Sequence, residues 1–576
     1  MTGATATIAA IGYVSFLFLI AWWGDRGGRR FISGGTRSAV YALSLAVYCT
    51  SWTYYGSVGL ASSHGLDFLP IYIGPVLVIG LGSAFVARIA NLARTQNLTT
   101  VADFVSARYG KSHAVAAAAA LIALVGSAPY VALQLKAVST TLLTVSASLD
   151  TSRLAPDKPS ALFSLAIAAV LAAFAIAFGT RRINPKERQD GLILAIAVES
   201  VVKLAAFLAV GAFVVWGLNG GLSDLTQAAL SNEKTAAILR TPPDPAVWTV
   251  TSLLSAFAIL LLPRQFHVAV VENHDRGDIR VASWLFPAYL VLINLFVAPL
   301  AIAGLKMFPD GGFNRDLTVL ALPVAAGAQG LALLTMIGGL SAATGMIIVD
   351  SLALAITISN NLAMPLLLRR RPPPSDSTGG DIGALVLTVR RLSILAVLAL
   401  GFAYERLTSE TALVSIGLIS FAALAQIAPA FLGGLVWRRG TARGALAGMS
   451  AGGVAWLYLL FLPSLEAHNT VAAFLEHGPL AIAWLSPTSL TAFAPTPLVG
   501  GVVLSLILNA AVFVVFSFTR QVTALERAQA NAFAGDGGKP QSFRLWRSST
   551  TAGELEAAVV RYLGADRARR AFSGFL

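Results

Sequence analysis

The chain has 576 residues, of which 56% are hydrophobic and only 12% charged, and its mean hydropathy is +0.73. A soluble domain carries about 25% charged residues; this chain cannot hide its apolar surface in one soluble core and reads as an all-α polytopic membrane protein. The net charge of +13 comes from short basic clusters between apolar runs, which excludes a nucleic-acid-binding stripe. The single cysteine, Cys49, excludes an internal disulfide and a cysteine-based metal site.

The first apolar run has no basic residue ahead of it and no clear cleavage site, which predicts a retained helix rather than a signal peptide. Runs long enough to span a bilayer fall at about thirteen places: 7–23, 39–61, 69–92, 113–147, 160–179, 190–217, 248–271, 282–306, 327–363, 388–404, 411–436, 442–462 and 496–518. Basic residues concentrate after the odd-numbered runs: Arg26, Arg29, Arg30 and Arg37 after the first, Arg181, Arg182, Lys186 and Arg188 after the fifth, Arg369, Arg370 and Arg371 after the ninth. Pro463–Pro495, between two later runs, has none. This alternation predicts an N-terminus outside and a C-terminus in the cytoplasm. The transmembrane domain is expected over 1–520, with a cytoplasmic linker over 521–540 and a short partial cytoplasmic segment over 541–576.

Several runs carry polar residues that lipid rejects. Run two has a polar, aromatic centre at Cys49–Ser57. It is either a helix break holding solute and ions on freed backbone groups, or a continuous helix with its hydroxyls bonded back to their own carbonyls. Run four contains Pro129, Tyr130, Gln134 and Lys136, with Tyr130 and Gln134 four apart on one face. Run six places Glu199 and Lys203 at i,i+4, where they either neutralise each other or mark a pathway. In run seven, Pro263 is followed by Arg264, Gln265 and His267. A proline removes an amide from the ladder and points to a functional break. Arg264 alone reads first as an anchor at the membrane boundary, with an inner gate as the alternative. Run nine carries Ser341, Thr344, Asp350 and Ser351, which suit a hard monovalent cation or a close-packed helix seam. The topology puts Glu199 and Asp350 at similar depth, where two carboxylates line a cation or proton path. The sequence has no Walker A loop, no HExxH cluster, no TVGYG filter and no histidine-kinase ATP-binding motif, so no enzyme is expected of it.

The phrases YALSLAVYCTSWTYYGSVG (41–59), LLPRQFHVAVVEN (261–273), SWLFPAYLVLINLFVAPLAIAG (283–304), LSAATGMIIVDSLALAITISNNLAMP (340–365) and SIGLISFAALAQIAPAFLGGLVWRRGTARGALAG (415–448) resemble the solute:sodium symporter family. They are most similar to the transporter modules of bacterial sensor histidine kinases of the CbrA type. The tail from about 541 resembles the opening of a STAC domain, inside which the chain would stop. The resemblance implies a LeuT-type fold: one leading helix, two inverted repeats of five helices (runs two to six and seven to eleven), and two further helices. It implies cation-coupled symport of an amino acid, with histidine as the best single guess, or a solute sensor that signals to a kinase and response regulator. No cofactor is implied beyond a coupling sodium ion or proton. Carried over by position, Ala46 and Cys49 (or, one residue on, Val47 and Thr50) supply carbonyls to a cation, with Ser341, Thr344 and Gly345 opposite. Gly345 departs from the family in lacking a hydroxyl, and Tyr48 replaces an acidic residue; proton coupling through Glu199 or Asp350 is the rival to sodium. Trp52, Tyr54, Tyr130, Gln134, Gln265 and His267 are the expected solute-binding residues, with a half-helix N-terminus after Pro263 facing the solute carboxylate.

Overall fold

The computed structural model describes residues 3–26, 35–147, 159–179, 189–309, 314–370, 379–408, 413–465, 475, 478–479 and 482–534. Every regular element among them is a helix. The first half contains α1 (Gly3–Arg26), α2 (Gly35–Ser44), α3 (Ser57–His64), α4 (Pro70–Pro75), α5 (Ser83–Gln96), α6 (Val101–Arg108), α7 (His113–Ala147), α8 (Ala161–Gly179) and α9 (Asp190–Ala212). Two surface helices follow, α10 (Leu222–Ser231) and α11 (Glu233–Arg240), then α12 (Pro245–Leu261), α13 (Pro263–Phe266), α14 (Arg276–Asn294), α15 (Val297–Met307) and α16 (Thr318–Ala325). The remainder comprises α17 (Gln329–Ile358), α18 (Met364–Arg370), α19 (Gly379–Leu407), α20 (Leu413–Ala425), α21 (Ala428–Val436), α22 (Ala442–Trp456), α23 (Pro487–Thr491), α24 (Pro497–Phe518) and α25 (Ala524–Ala534). The expected segment 541–576 lies outside the described residues, as does the end of the expected linker, 535–540.

Each of the thirteen apolar runs falls on a helix or helix pair. By length and composition, eight helices among the described residues are able to cross a bilayer, or eleven if each of three bent pairs counts as one. The figure of thirteen is not reached by that measure for a physical reason. Run two is broken, so neither half is long enough alone, and run five is short (Ala161–Ala177 is its apolar part). The bend between Pro245–Leu261 and Pro263–Val271 is 54°. It follows from Pro263, which excludes the residue before it from the helical region; Leu262 is accordingly extended, at φ −59° and ψ 131°. In run two the ladder stops at Cys49, also extended at φ −79° and ψ 91°, and resumes as a π-helix over Trp52–Gly56.

The centre of the bundle is α17, which packs on α7, α9 and α19 and is buried on nearly every face over Gly338–Thr357. Small residues on this helix (Gly338, Gly339, Ala342, Ala343) allow that close approach. Its neighbours include the two breaks: α2 leans on α9 and α14, and α13 lies against α17. Outside this core, α22 and α24 pack together as a pair.

Candidate functional site

Two clusters of buried polar groups meet at the break in run two. The first lies between the break, α9 and α17. The Lys203 ammonium donates to the carbonyls of Ala46 (2.7 Å) and Cys49 (2.8 Å), where the helical ladder stops; the Ala46 carbonyl also accepts from the Cys49 amide (3.0 Å). Four residues earlier on α9, Glu199 turns to α17: its Oε1 accepts from the Thr344 hydroxyl (3.0 Å), and its backbone carbonyl accepts from Ser341 (2.9 Å). The i,i+4 pair therefore does not close on itself; each member reaches a different helix. Gly345 has a steric reason, since a Cβ there would overlap Glu199 Oε2. The expected cation residues Ala46, Cys49, Ser341, Thr344 and Gly345 thus gather in one place, around a lysine and a glutamate.

The second cluster lies on the other side of the break. Arg264 is completely buried. Its guanidinium stands 4.2 Å over the Tyr130 ring, and Nη1 is 3.6 Å from Asp350 Oδ1, too far for a hydrogen bond. None of its three nitrogens has a hydrogen-bond partner, and neither Asp350 oxygen has one. Tyr130 shares a hydrogen bond with Thr50 (2.9 Å), and Gln134 Oε1 accepts from the Ser51 amide (3.2 Å), so α7 binds the break directly. The Gln134 amide nitrogen and both ends of Gln265 are buried and unpartnered. An aromatic wall completes the cluster. Tyr130 stacks on Phe421 (5.5 Å), which meets Trp52 edge-on (6.3 Å), and Trp52 stacks on Tyr72 (6.4 Å).

The other expected residues go elsewhere. Tyr54 packs against Tyr55 and Phe207, with its hydroxyl towards Gly338, on the α9–α17 side of the break. His267 Nε2 lies 3.2 Å from Glu272, whose carboxylate also accepts from the Gln189 amide. Asp350 faces Arg264, while Glu199 faces Thr344, so the two carboxylates belong to separate clusters. Arg264, expected as an anchor or an inner gate, is fully buried between the Tyr130 ring and Asp350.

Both ends are latched by residues that sequence reasoning missed. At one end, Arg37 pairs with Asp275 (2.5 Å) and Ser38 donates to Asp278 (2.8 Å), tying α2 to α14 beside a cavity of about 260 Å³. At the other, Arg315 donates to the Ser62 carbonyl (2.8 Å), and Asp316 accepts from the Leu413 amide (3.1 Å). The short helix Arg315–Leu317 thereby holds the end of α3 and the start of α20. Burial raises the Asp316 carboxyl above the usual range, partly offset by the Leu413 amide and the charge of Lys136. The latch partners lie 97 to 253 residues apart in the chain, and no local pattern announces such pairs.

The architecture is that of a multi-pass membrane protein of the LeuT type. In particular, the fold is similar to a Na+-coupled sialic acid symporter in a substrate-bound, outward-open state: TM-score 0.58 at 13% identity, covering 90% of this chain and 98% of that one. A looser likeness, TM-score 0.43 at 14% identity over 86% of this chain and 95% of the other, is to Mhp1, a nucleobase-cation-symport-1 family transporter in a closed conformation with bromovinylhydantoin bound. In sequence, the chain is 24% identical over 487 residues to the uncharacterized symporter YodF of Bacillus subtilis (strain 168), covering 82% of this chain and 89% of that one. No protein-family model matches.

Proposed function

We propose that this chain is a cation-coupled symporter for an amino acid, with histidine as the first solute to test. The observation that carries the reading is Arg264: a fully buried guanidinium beside a helix break, with no hydrogen-bond acceptor on any nitrogen. Leaving such a group unsatisfied is costly, and a solute carboxylate would supply the missing acceptors in the two-pronged geometry that arginine favours. Tyr130, Phe421 and Trp52 would pack the solute's apolar or ring portion, and Gln134 and Gln265 would bond its polar end. In this role Arg264 anchors the solute and is not an inner gate. The similarity to symporters supports transport as the use of the site. Sodium or a proton is the coupling ion, and Glu199, beside Thr344, or Asp350, beside Arg264, would be the carboxylate that answers to it. We place the protein in a bacterial inner membrane, N-terminus outside.

The sensor reading keeps one specific support. Helix α25, which follows the last apolar helix, is docked on the core: Glu526 accepts from the Ala442 amide (2.9 Å), Arg88 donates to the Phe533 carbonyl (2.6 Å), and Phe533 packs edge-on against Phe104. A change in the core would reach the segment beyond it, where a STAC-like module and a kinase partner would lie. Uptake of radiolabelled histidine into proteoliposomes under separate sodium and proton gradients tests both readings. Accumulation under one gradient supports symport; binding without flux favours the sensor; absence of uptake for histidine and related amino acids under every gradient overturns transport.

A further inference from the structure

A LeuT-type symporter is expected to hold sodium where the broken first helix of the core faces α17, and the carbonyls of Ala46 and Cys49 are this chain's donors there. The residues present do not fit that ion. Both carbonyls already accept from Lys203 Nζ at 2.7 and 2.8 Å, full hydrogen-bond distances. A sodium ion on the same two oxygens would lie within a few ångströms of the ammonium nitrogen, inside a region where Lys203 and Glu199 are each only 3% exposed and water screens little. The facing helix has lost a ligand as well. Position 345 is glycine, and the Glu199 carboxylate occupies the space that a side chain there would take. The charge balance agrees: one lysine and one glutamate are neutral together, whereas adding sodium would leave an unpaired positive charge in the bundle.

We propose that Lys203 is a built-in cation: its ammonium fills the sodium position, the wild-type chain takes no sodium there, and shortening Lys203 creates a site for a monovalent cation. The donor set left behind would be two carbonyl oxygens, the Thr344 hydroxyl and the Glu199 carboxylate, all oxygen and carrying one negative charge, which suits a hard monovalent ion. The proposal rests on reading the chain as a cation-coupled transporter, yet its test needs no solute and no flux. Failure of transport would leave the cation assignment standing, and failure of the cation test would leave transport open to sodium coupling.

The experiment is 22Na+ binding to the purified full chain in detergent, together with thermal unfolding in sodium against choline. For the wild type, binding does not saturate and Tm is the same in both salts. For Lys203→Ala, binding saturates near one ion per chain, and Tm rises by about 2 °C or more as sodium exceeds its Kd; Thr344→Ala added to that variant weakens both. Methylammonium, a detached copy of the lysine head, competes with 22Na+ in Lys203→Ala. If Lys203→Ala does not purify as a monodisperse species, Lys203→Ser replaces it. Saturable wild-type binding that Thr344→Ala abolishes would overturn the proposal, as would a folded Lys203→Ala or Lys203→Ser protein that binds no sodium.

Discussion

Replacing Arg264 and Asp350 together separates the solute role of the arginine from its structural one. Removing Arg264 alone leaves Asp350 charged and buried without a partner, at a cost of about 3–5 kcal/mol, so a loss of activity in Arg264→Met would be uninformative. Replacing both, as Arg264→Met with Asp350→Leu, removes the two charges at similar volume, and such swaps are often neutral or stabilising. Little else is lost, because neither the guanidinium nor the carboxylate makes a hydrogen bond of good length; the chief casualty is the contact of Arg264 with the Tyr130 ring. The Tm of the double variant should therefore stay within a few degrees of wild type. Binding should not survive. At about 1.5 kcal/mol per charged hydrogen bond, a two-pronged carboxylate contact amounts to about 3 kcal/mol, or about a hundredfold in Kd. Isothermal titration with histidine, or with whichever amino acid the uptake screen selects, reads that number directly. Arg264→Lys, which keeps the charge and loses the fork, should fall between the two. A monodisperse double variant with unchanged Kd would refute the assignment of Arg264 to the solute.

Cys49, the only cysteine, is 1% exposed and sits in the break, so it reports opening without mutation. Arg37→Ala combined with Asp278→Ala should speed N-ethylmaleimide labelling of Cys49 at least severalfold with little loss of Tm from Arg37, because the Arg37–Asp275 pair is exposed and such pairs contribute at most about 1 kcal/mol; an unchanged labelling rate would show that this pair does not hold the end closed. Gly345→Ala places a methyl group on the Glu199 carboxylate and should destabilise by about 1–3 kcal/mol, read as a drop in Tm, with relief when Glu199→Ala is added. Asp316 gives a pH dependence. Its folded pKa is raised above the unfolded value near 4, so the folded state binds the proton more tightly, and its contribution is most favourable when protonated. Stability should fall as pH rises from about 4 through the raised pKa, and Asp316→Asn should flatten that slope in Tm; identical slopes for the two proteins would contradict this burial argument.

The division between what the sequence shows and what it hides follows from the range of the interactions. The break in run seven was legible because its cause is local, Pro263 pushing Leu262 out of the helix; the polar residues around Cys49 marked run two but left a break and a continuous helix both open. The cluster around Arg264 was partly legible because polar residues inside a bilayer are rare enough to stand out, as with Tyr130, Gln134, Arg264 and Gln265. Direction was not. Tyr54 and Trp52 are two residues apart in a π-helical segment and face opposite sides of it, and His267 turns towards Glu272 although Gln265 stays unpartnered. The aromatic wall was hidden because Phe421 and Tyr72 look like ordinary apolar residues in their own helices. Lys203 was visible as a charge, but the helical spacing assigned it to Glu199; only the position of the Ala46 and Cys49 carbonyls at the break, 157 and 154 residues earlier, redirects it.

The hydrogen bonds of the two polar clusters converge on six consecutive residues of the chain, Ala46 to Ser51. Lys203 holds the carbonyls of Ala46 and Cys49 from the α9 side; Tyr130 and Gln134 hold Thr50 and Ser51 from the α7 side. Any movement that swings α2 away from the core must break one set of these bonds or carry its partner along. A ligand shifts a conformational equilibrium only by binding one state more tightly than the other. A solute carboxylate on Arg264 would act beside Tyr130, and a change of charge at Lys203 or Glu199 would act on the Ala46–Cys49 carbonyls, so each would bias the same short segment from opposite sides. That shared segment gives coupling between the two sites without a long path through the protein. It also sets a requirement that a double-mutant cycle can measure: Thr50→Val and Lys203→Met should be non-additive in solute affinity, by at least about 0.5 kcal/mol, although the two side chains make no direct contact. Strict additivity would mean that the two clusters are neighbours without being coupled.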